Sequence, residues 1–403
     1  MSYDEKVVLA FSEEAYWDLV AAKSLLQSME LRLCGEDPKV FYLGRRVLYL
    51  LQQASEKVVK AYLLGYFKPL LEKLTLPHNI KIDRSKHFEV HRISELLRNI
   101  LDLIKVEKIG HEPFIAIANI VCMLYELFYK RRRELGKYVE FYTMLVTQSF
   151  VDWKSKDYAE MIEGVVRSIL VQRYVNAITS LELSPESRSG LDQLCSRLRD
   201  IKKKELLESA EPPCITEDSA HLLANAKKDY EKLVFEIKSY TATELYVSFS
   251  SILKEVFKVI ERRTGASEKE KMSRIDELIE THVKPLIEEI TPCFQNFAQY
   301  LGFIWYIIVY VLSVDPCLAL YERLGRYPGR FPESLETLNA SIQEAICKDI
   351  QGLESLIREV EYVVNEVRKS VEALQKLGAC FLQSFKPGEF QHKPSHPKQR
   401  AHP

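Results

Sequence analysis

Cations in helical register are the residues of this sequence whose type and spacing could do chemistry. Arg45, Arg46, Lys57 and Lys60 recur along one stretch, Arg92 follows a histidine, and Lys130-Arg131-Arg132-Arg133 are consecutive. Lysine and arginine offer fixed positive charge and several N–H donors, so the chemistry open to them is binding phosphate on a nucleotide or RNA. Each set also has a plainer use. Glu56 and Lys60 stand four apart, and such a pair on an exposed helix is a solvated ion pair contributing only about 0.2–0.5 kcal/mol. Four consecutive cations cannot share one helical face, so a solvated helix end is the alternative for residues 130–133. Lys202-Lys203-Lys204 has the same two readings.

Other chemistry is poorly provided for. Asp83, His87 and His91 are spaced four apart and could align as metal ligands, but Asp83 falls in a polar loop, and no metal site is expected. No cofactor is expected either, because the chain lacks G-x-S-x-G, the phosphate-binding G-x-x-x-x-G-K-[ST], H-E-x-x-H and a nucleotidyltransferase G-S-x-D-x-D. The eight cysteines (34, 122, 195, 214, 293, 317, 347 and 380) are scattered with no C-x-x-C. Cys34 and Cys122 lie in apolar stretches and read as small core residues of a reduced, cytoplasmic protein. The acidic start Met1-Ser2-Tyr3-Asp4-Glu5 has no signal-peptide core. A net charge of −1 confines any nucleic-acid contact to a local patch.

The elements that must position these residues are helices. Only 14 of 403 residues are glycine, about half the usual ~7%, which leaves little material for hairpins or dinucleotide-binding turns and favours an all-α fold. Apolar residues recur at helical spacing over 12–33, 40–67, 87–104 and 114–147. Ser12, followed by two glutamates, reads as the first cap. Residues 1–150 are therefore expected to form a compact four-helix bundle, with a helical connector over 151–212 and a break at Glu211-Pro212-Pro213. A second helical region follows over 213–332. Within it, 297–314 carry no charge, at the lower limit of a membrane span. Its tyrosines and lack of flanking cations favour a buried helix with hydrogen-bonded Tyr300, Tyr306 and Tyr310. Residues 333–385 form one long amphipathic helix, serving either as a coiled-coil arm or as a helix packed along its own chain. The proline-rich, basic tail over 386–403 reads as disordered.

One stretch carries a resemblance. Leu50-Leu51-Gln52-Gln53-Ala54-Ser55-Glu56-Lys57-Val58-Val59-Lys60-Ala61, followed by His91-Arg92-Ile93-Ser94-Glu95-Leu96-Leu97, resembles the HEPN family, helical bundles of prokaryotic toxin–antitoxin and nucleotidyltransferase-associated proteins. Gln53, Glu56, Lys57, Lys60 and His91 stand at the motif positions, Trp17-Asp18 and Ala21-Ala22 fit the first helix, and Arg326-Tyr327-Pro328-Gly329 echoes a terminal element. Active members are metal-independent RNases that pair an arginine with a histidine, four to six residues lying between, for transition-state charge and acid–base chemistry. Arg84–His87, Arg274–His282 and Arg400–His402, with two, seven and one residues between, fall outside that spacing, and only Arg84–His91, with six, reaches its upper limit. No catalytic residue is assigned. The resemblance implies a non-catalytic cytoplasmic homodimer that binds RNA, nucleotide or a separate nucleotidyltransferase chain. A divergent RNase, using Arg92 or Arg131 with His87, His91 or His111, stays open, as does a helical adaptor with no nucleic-acid role.

Overall fold

The computed structural model describes residues 3–30, 38–68, 71–72, 75, 88–104, 113–151, 185–200, 217–239, 246, 277, 279–314 and 350–377. Helices make up almost all of these residues and no strand occurs among them. The fold is all-α. Residues 152–184 of the expected connector, the break at 211–213, the 326–329 element and the tail lie outside the described residues, as do Asp83, His87 and His111.

Two helices open the chain, α1 (Tyr3–Glu30) and α2 (Pro38–Tyr62). The first begins nine residues earlier than the apolar spacing suggested. Ser12 is not its cap but a buried residue inside it, because Val8, Ser12, Ala15, Leu19, Ala22 and Leu26 form one buried stripe. The two helices run antiparallel: Lys57 of α2 meets Asp18 and Glu14 of α1, and Lys60 reaches Phe11. A π-helical turn, Leu63–Phe67, ends α2.

Next come α3 (Phe88–Leu103), α4 (Pro113–Tyr125) and α5 (Arg132–Val151), with α3 packed on α5 and α4. Where one helix was expected over 114–147, α4 and α5 are separated by a π-helical turn, Glu126–Lys130. The chain continues with α6 (Pro185–Asp200), α7 (Glu217–Ser239), a π-helical turn at Ile279–Val283, α8 (Lys284–Gly302), α9 (Ile304–Ser313) and α10 (Ile350–Leu377).

The uncharged run is two helices that meet at Phe303. Every residue from Phe303 to Leu312 is buried, and no described helix is long and apolar enough to cross a membrane. Two of its tyrosines have the partners that burial demands. Tyr310 Oη donates to Ser55 Oγ of α2 at 2.9 Å, and Tyr306 Oη donates to Glu359 of α10. Phe303, Tyr306 and Tyr362 pack ring against ring around them. The side chain of Tyr300 is outside the described residues. At the joint, Gly302 lies so close to α7 that a Cβ would sit 2.4 Å from Leu233 Cδ2.

The described part of the long amphipathic helix, α10, spans 28 residues, about 42 Å at 1.5 Å per residue. Its apolar seam (Leu353, Ile357, Val360, Val364, Val367 and Val371 among others) is buried against its own chain, where α10 lies on α1 and α2. Lys23–Glu361 at 2.8 Å and Arg368–Glu13 at 3.5 Å fix it antiparallel to α1. The buried side chains of α1 through α10 belong to one continuous apolar cluster.

Candidate functional site

The motif helix α2 turns Lys57 and Lys60 inward. Lys60 is 6% exposed, ion-paired with Glu56 and lying 5.8 Å from the Phe11 ring centroid. Gln52 donates to the other Glu56 oxygen at 2.9 Å, and Gln53 donates to Gln52 at 2.6 Å. Lys57 sits 2.7 Å from Asp18 Oδ2 and 3.0 Å from Glu14 Oε2. Burial works against the Lys57 charge, but hydrogen bonds and attraction from Asp18 and Glu14 outweigh it, so its ammonium holds its proton above the usual lysine range. Each motif cation thus has a carboxylate in the same chain. Arg46 is exposed and lies over Tyr49 at 4.9 Å. Arg45 is on the same helix, with its side chain outside the described residues. His91 of α3, 18% exposed, stands 3.7 Å from Glu95, and Arg84 lies outside the described residues.

A different arrangement surrounds the π-helical turn between α4 and α5. The Arg131 amide bonds to the Glu126 carbonyl five residues back at 2.9 Å, and Arg131 leaves helical geometry with φ −106° and ψ 22°. One extra residue in a helical turn shifts the phase of everything beyond it, and such turns often mark functional sites. Here it fans out the four consecutive cations. Arg131 folds back onto Glu126 (2.7 Å) and Glu134 (3.2 Å), whereas Arg132 and Arg133 have no carboxylate within ion-pair distance among the described residues. Lys130 reaches Asp192 of α6 at 2.6 Å while 43% of its side chain stays exposed. Arg92 of α3 approaches Glu134 at 3.9 Å and is half exposed.

Aromatic rings interleave these cations. Tyr125 and Tyr129 stack in parallel at 5.5 Å, and Arg132 and Arg188 lie 5.8 and 5.3 Å from the Tyr129 ring centroid. Lys130 lies 5.5 Å from the Tyr125 centroid. Burial, and then the Asp192 carboxylate, push the Tyr125 hydroxyl above the usual tyrosine range, so it remains a neutral donor, here to Asp192. Among the described side chains, six cations (Arg92, Lys130, Arg131, Arg132, Arg133 and Arg188) therefore stand around three carboxylates (Glu126, Glu134 and Asp192). Fixed positive charge of this kind can hold phosphate, while the rings themselves are packed, Tyr125 being 1% exposed and Tyr129 meeting Tyr125 and Trp305.

The sequence singled out Arg92 and residues 130–133, and the fold brings them together. It does not bring Arg45, Arg46, Lys57 or Lys60 to the same place. Arg188, Tyr125, Tyr129 and Asp192 went unnoticed, since only the packing of α6 against α4 joins them. One reading needs correction: Cys122 is buried as expected, but not as a simple apolar filler, because it is disulfide-bonded to Cys195 across 73 residues. Among the described residues no group of histidines, cysteines and carboxylates could hold a metal ion. No family model, curated protein or solved structure matches the chain.

Proposed function

We propose that this protein is a non-catalytic, HEPN-type RNA- or nucleotide-binding protein of the cytoplasm, acting as a homodimer or with a separate nucleotidyltransferase chain. Its phosphate-binding surface is the basic and aromatic cluster at the 126–134 turn. The observation that carries this reading is the excess of cations there over carboxylates, beside the stacked Tyr125 and Tyr129 rings. Lys57 and Lys60 act within the fold, holding α1 on α2, and leave ligand contact to the turn.

The test is a titration of the full chain with labelled single-stranded RNA at two salt concentrations, reading both mobility and integrity of the RNA. Binding that weakens with salt while the RNA stays intact is expected, because each neutralised phosphate releases counterions. Absence of binding would overturn the reading in favour of a helical adaptor. Cleavage without added metal would replace it with the divergent RNase.

A further inference from the structure

A cavity of about 200 Å³ opens beside the same turn, lined by Cys122, Tyr125, Glu126, Lys130, Asp192, Cys195 and Ser196. Both sulfur-bearing residues of the disulfide line it, although each is itself less than a tenth exposed. The cavity thus gives a small molecule a route to a bond that the rest of the chain covers. Behind it lies α6, of whose described side chains Leu191 and Cys195 are buried, while Arg188, Ser189, Gln193 and Ser196 face solvent. Besides the disulfide, the described attachments of α6 include Leu191, the packing on α7 and α9 with Gly190 close to Leu222, the Asp192 contacts with Lys130 and Tyr125, and Arg188 over the Tyr129 ring.

We propose that Cys122–Cys195 is a thiol–disulfide exchange site, reached through this cavity by a small-molecule thiol, and that its reduction loosens α6 and takes the Asp192 carboxylate off Lys130. A thiolate attacks one protein sulfur, a mixed disulfide forms, and the other cysteine leaves as a thiolate that takes up a proton. A second thiolate then attacks the sulfur of the small thiol in that mixed disulfide. The small thiol leaves as its own disulfide, and the second cysteine leaves as a thiolate and is protonated. Two thiols are oxidised, and two electrons and two protons arrive on the protein. In the reducing compartment of the location proposed above, on which this one point rests, a protein disulfide is redox-sensing or transient rather than permanent, which fits a bond with its own access route. This inference stands on the cavity and the packing of α6, independently of RNA binding.

The test uses the full chain equilibrated with oxidised and then with reduced glutathione, read by peptide mapping without reductant and by amide hydrogen exchange. The oxidised chain is expected to give a linked 122–195 peptide. Reduced glutathione should remove the link without loss of helicity, and exchange in 185–200 should rise at least about tenfold while α1 and α2 are unchanged. Three results would each overturn the proposal: no linked peptide, a link that yields only in denaturant, or exchange in α6 that does not respond once the link is gone. None depends on whether the protein binds RNA.

Discussion

Two lysines show how one residue type can serve opposite ends. Lys60 has 7% of its side chain exposed and is paired with Glu56, whereas Lys130 has 43% exposed and is paired with Asp192. Lys60 lies on a helix pressed between α1 and α10, so its charge must be answered inside the chain, and the carboxylate and the Phe11 ring answer it. Lys130 lies where a helix changes phase, its neighbours Arg132 and Arg133 have no such answer among the described residues, and the carboxylate that meets it comes from α6. A cation in a motif is thus not by itself a ligand contact. Its burial and the ownership of its counter-charge decide.

The sharpest break of that contrast is Glu56→Ala. It leaves Lys60 buried without its carboxylate and should cost about 3–5 kcal/mol of stability, measured by urea denaturation. A cost near zero would mean that Lys60 escapes to solvent and is available to a ligand. Next comes Cys195→Ser, which should lose about 2–4 kcal/mol against the oxidised wild type and nearly nothing against the reduced one. Equal stability in all three would remove the tether that holds Asp192 near Lys130.

Much of the helical skeleton was legible in the sequence, because a period near 3.6 with little glycine leaves few alternatives. Over the described residues 350–377 the expected amphipathic seam is present, and within the uncharged run residues 303–312 are buried. What periodicity could not give was phase. The turn at 126–130 inserts one residue among apolar positions that still look helical on both sides, so the fan of cations at 130–133 could not be drawn in advance. Nor could Phe303, where the run divides. The partners of the site are long-range: Arg188 and Asp192 come from α6, and Cys195 is one of eight scattered cysteines with nothing local to choose its mate. Ser12 misled because a serine before two glutamates is a good cap in isolation, whereas Val8 and Ala15 place it in the middle of a buried stripe.

A smaller effect tests the same logic on an unanswered charge. Asp229 Oδ2 is buried with no hydrogen-bond partner among the described residues. Burial raises the Asp229 pKa, and the charge of Lys232 offsets this only in part. A carboxyl whose folded pKa lies above its unfolded value favours folding below the unfolded pKa and loses that contribution as pH rises through the folded one. Asp229→Asn should therefore be at least as stable as the wild type at neutral pH. The wild type should gain on it as pH falls into the carboxylate range, in paired thermal melts. A difference that does not change with pH would show that Asp229 is fully solvated.

The central claim, that ligand phosphate meets the turn and not the motif helix, is tested most directly by salt-dependent RNA titration of two variants beside the wild type. Combined Arg132→Ala, Arg133→Ala and Arg188→Ala should lower affinity and flatten the slope of log affinity against log salt by about two, at about 0.7 per lost contact to a single strand. Lys57→Gln should leave that slope unchanged. A full slope in the triple variant, with a flattened one in Lys57→Gln, would contradict the account and return the binding surface to α2.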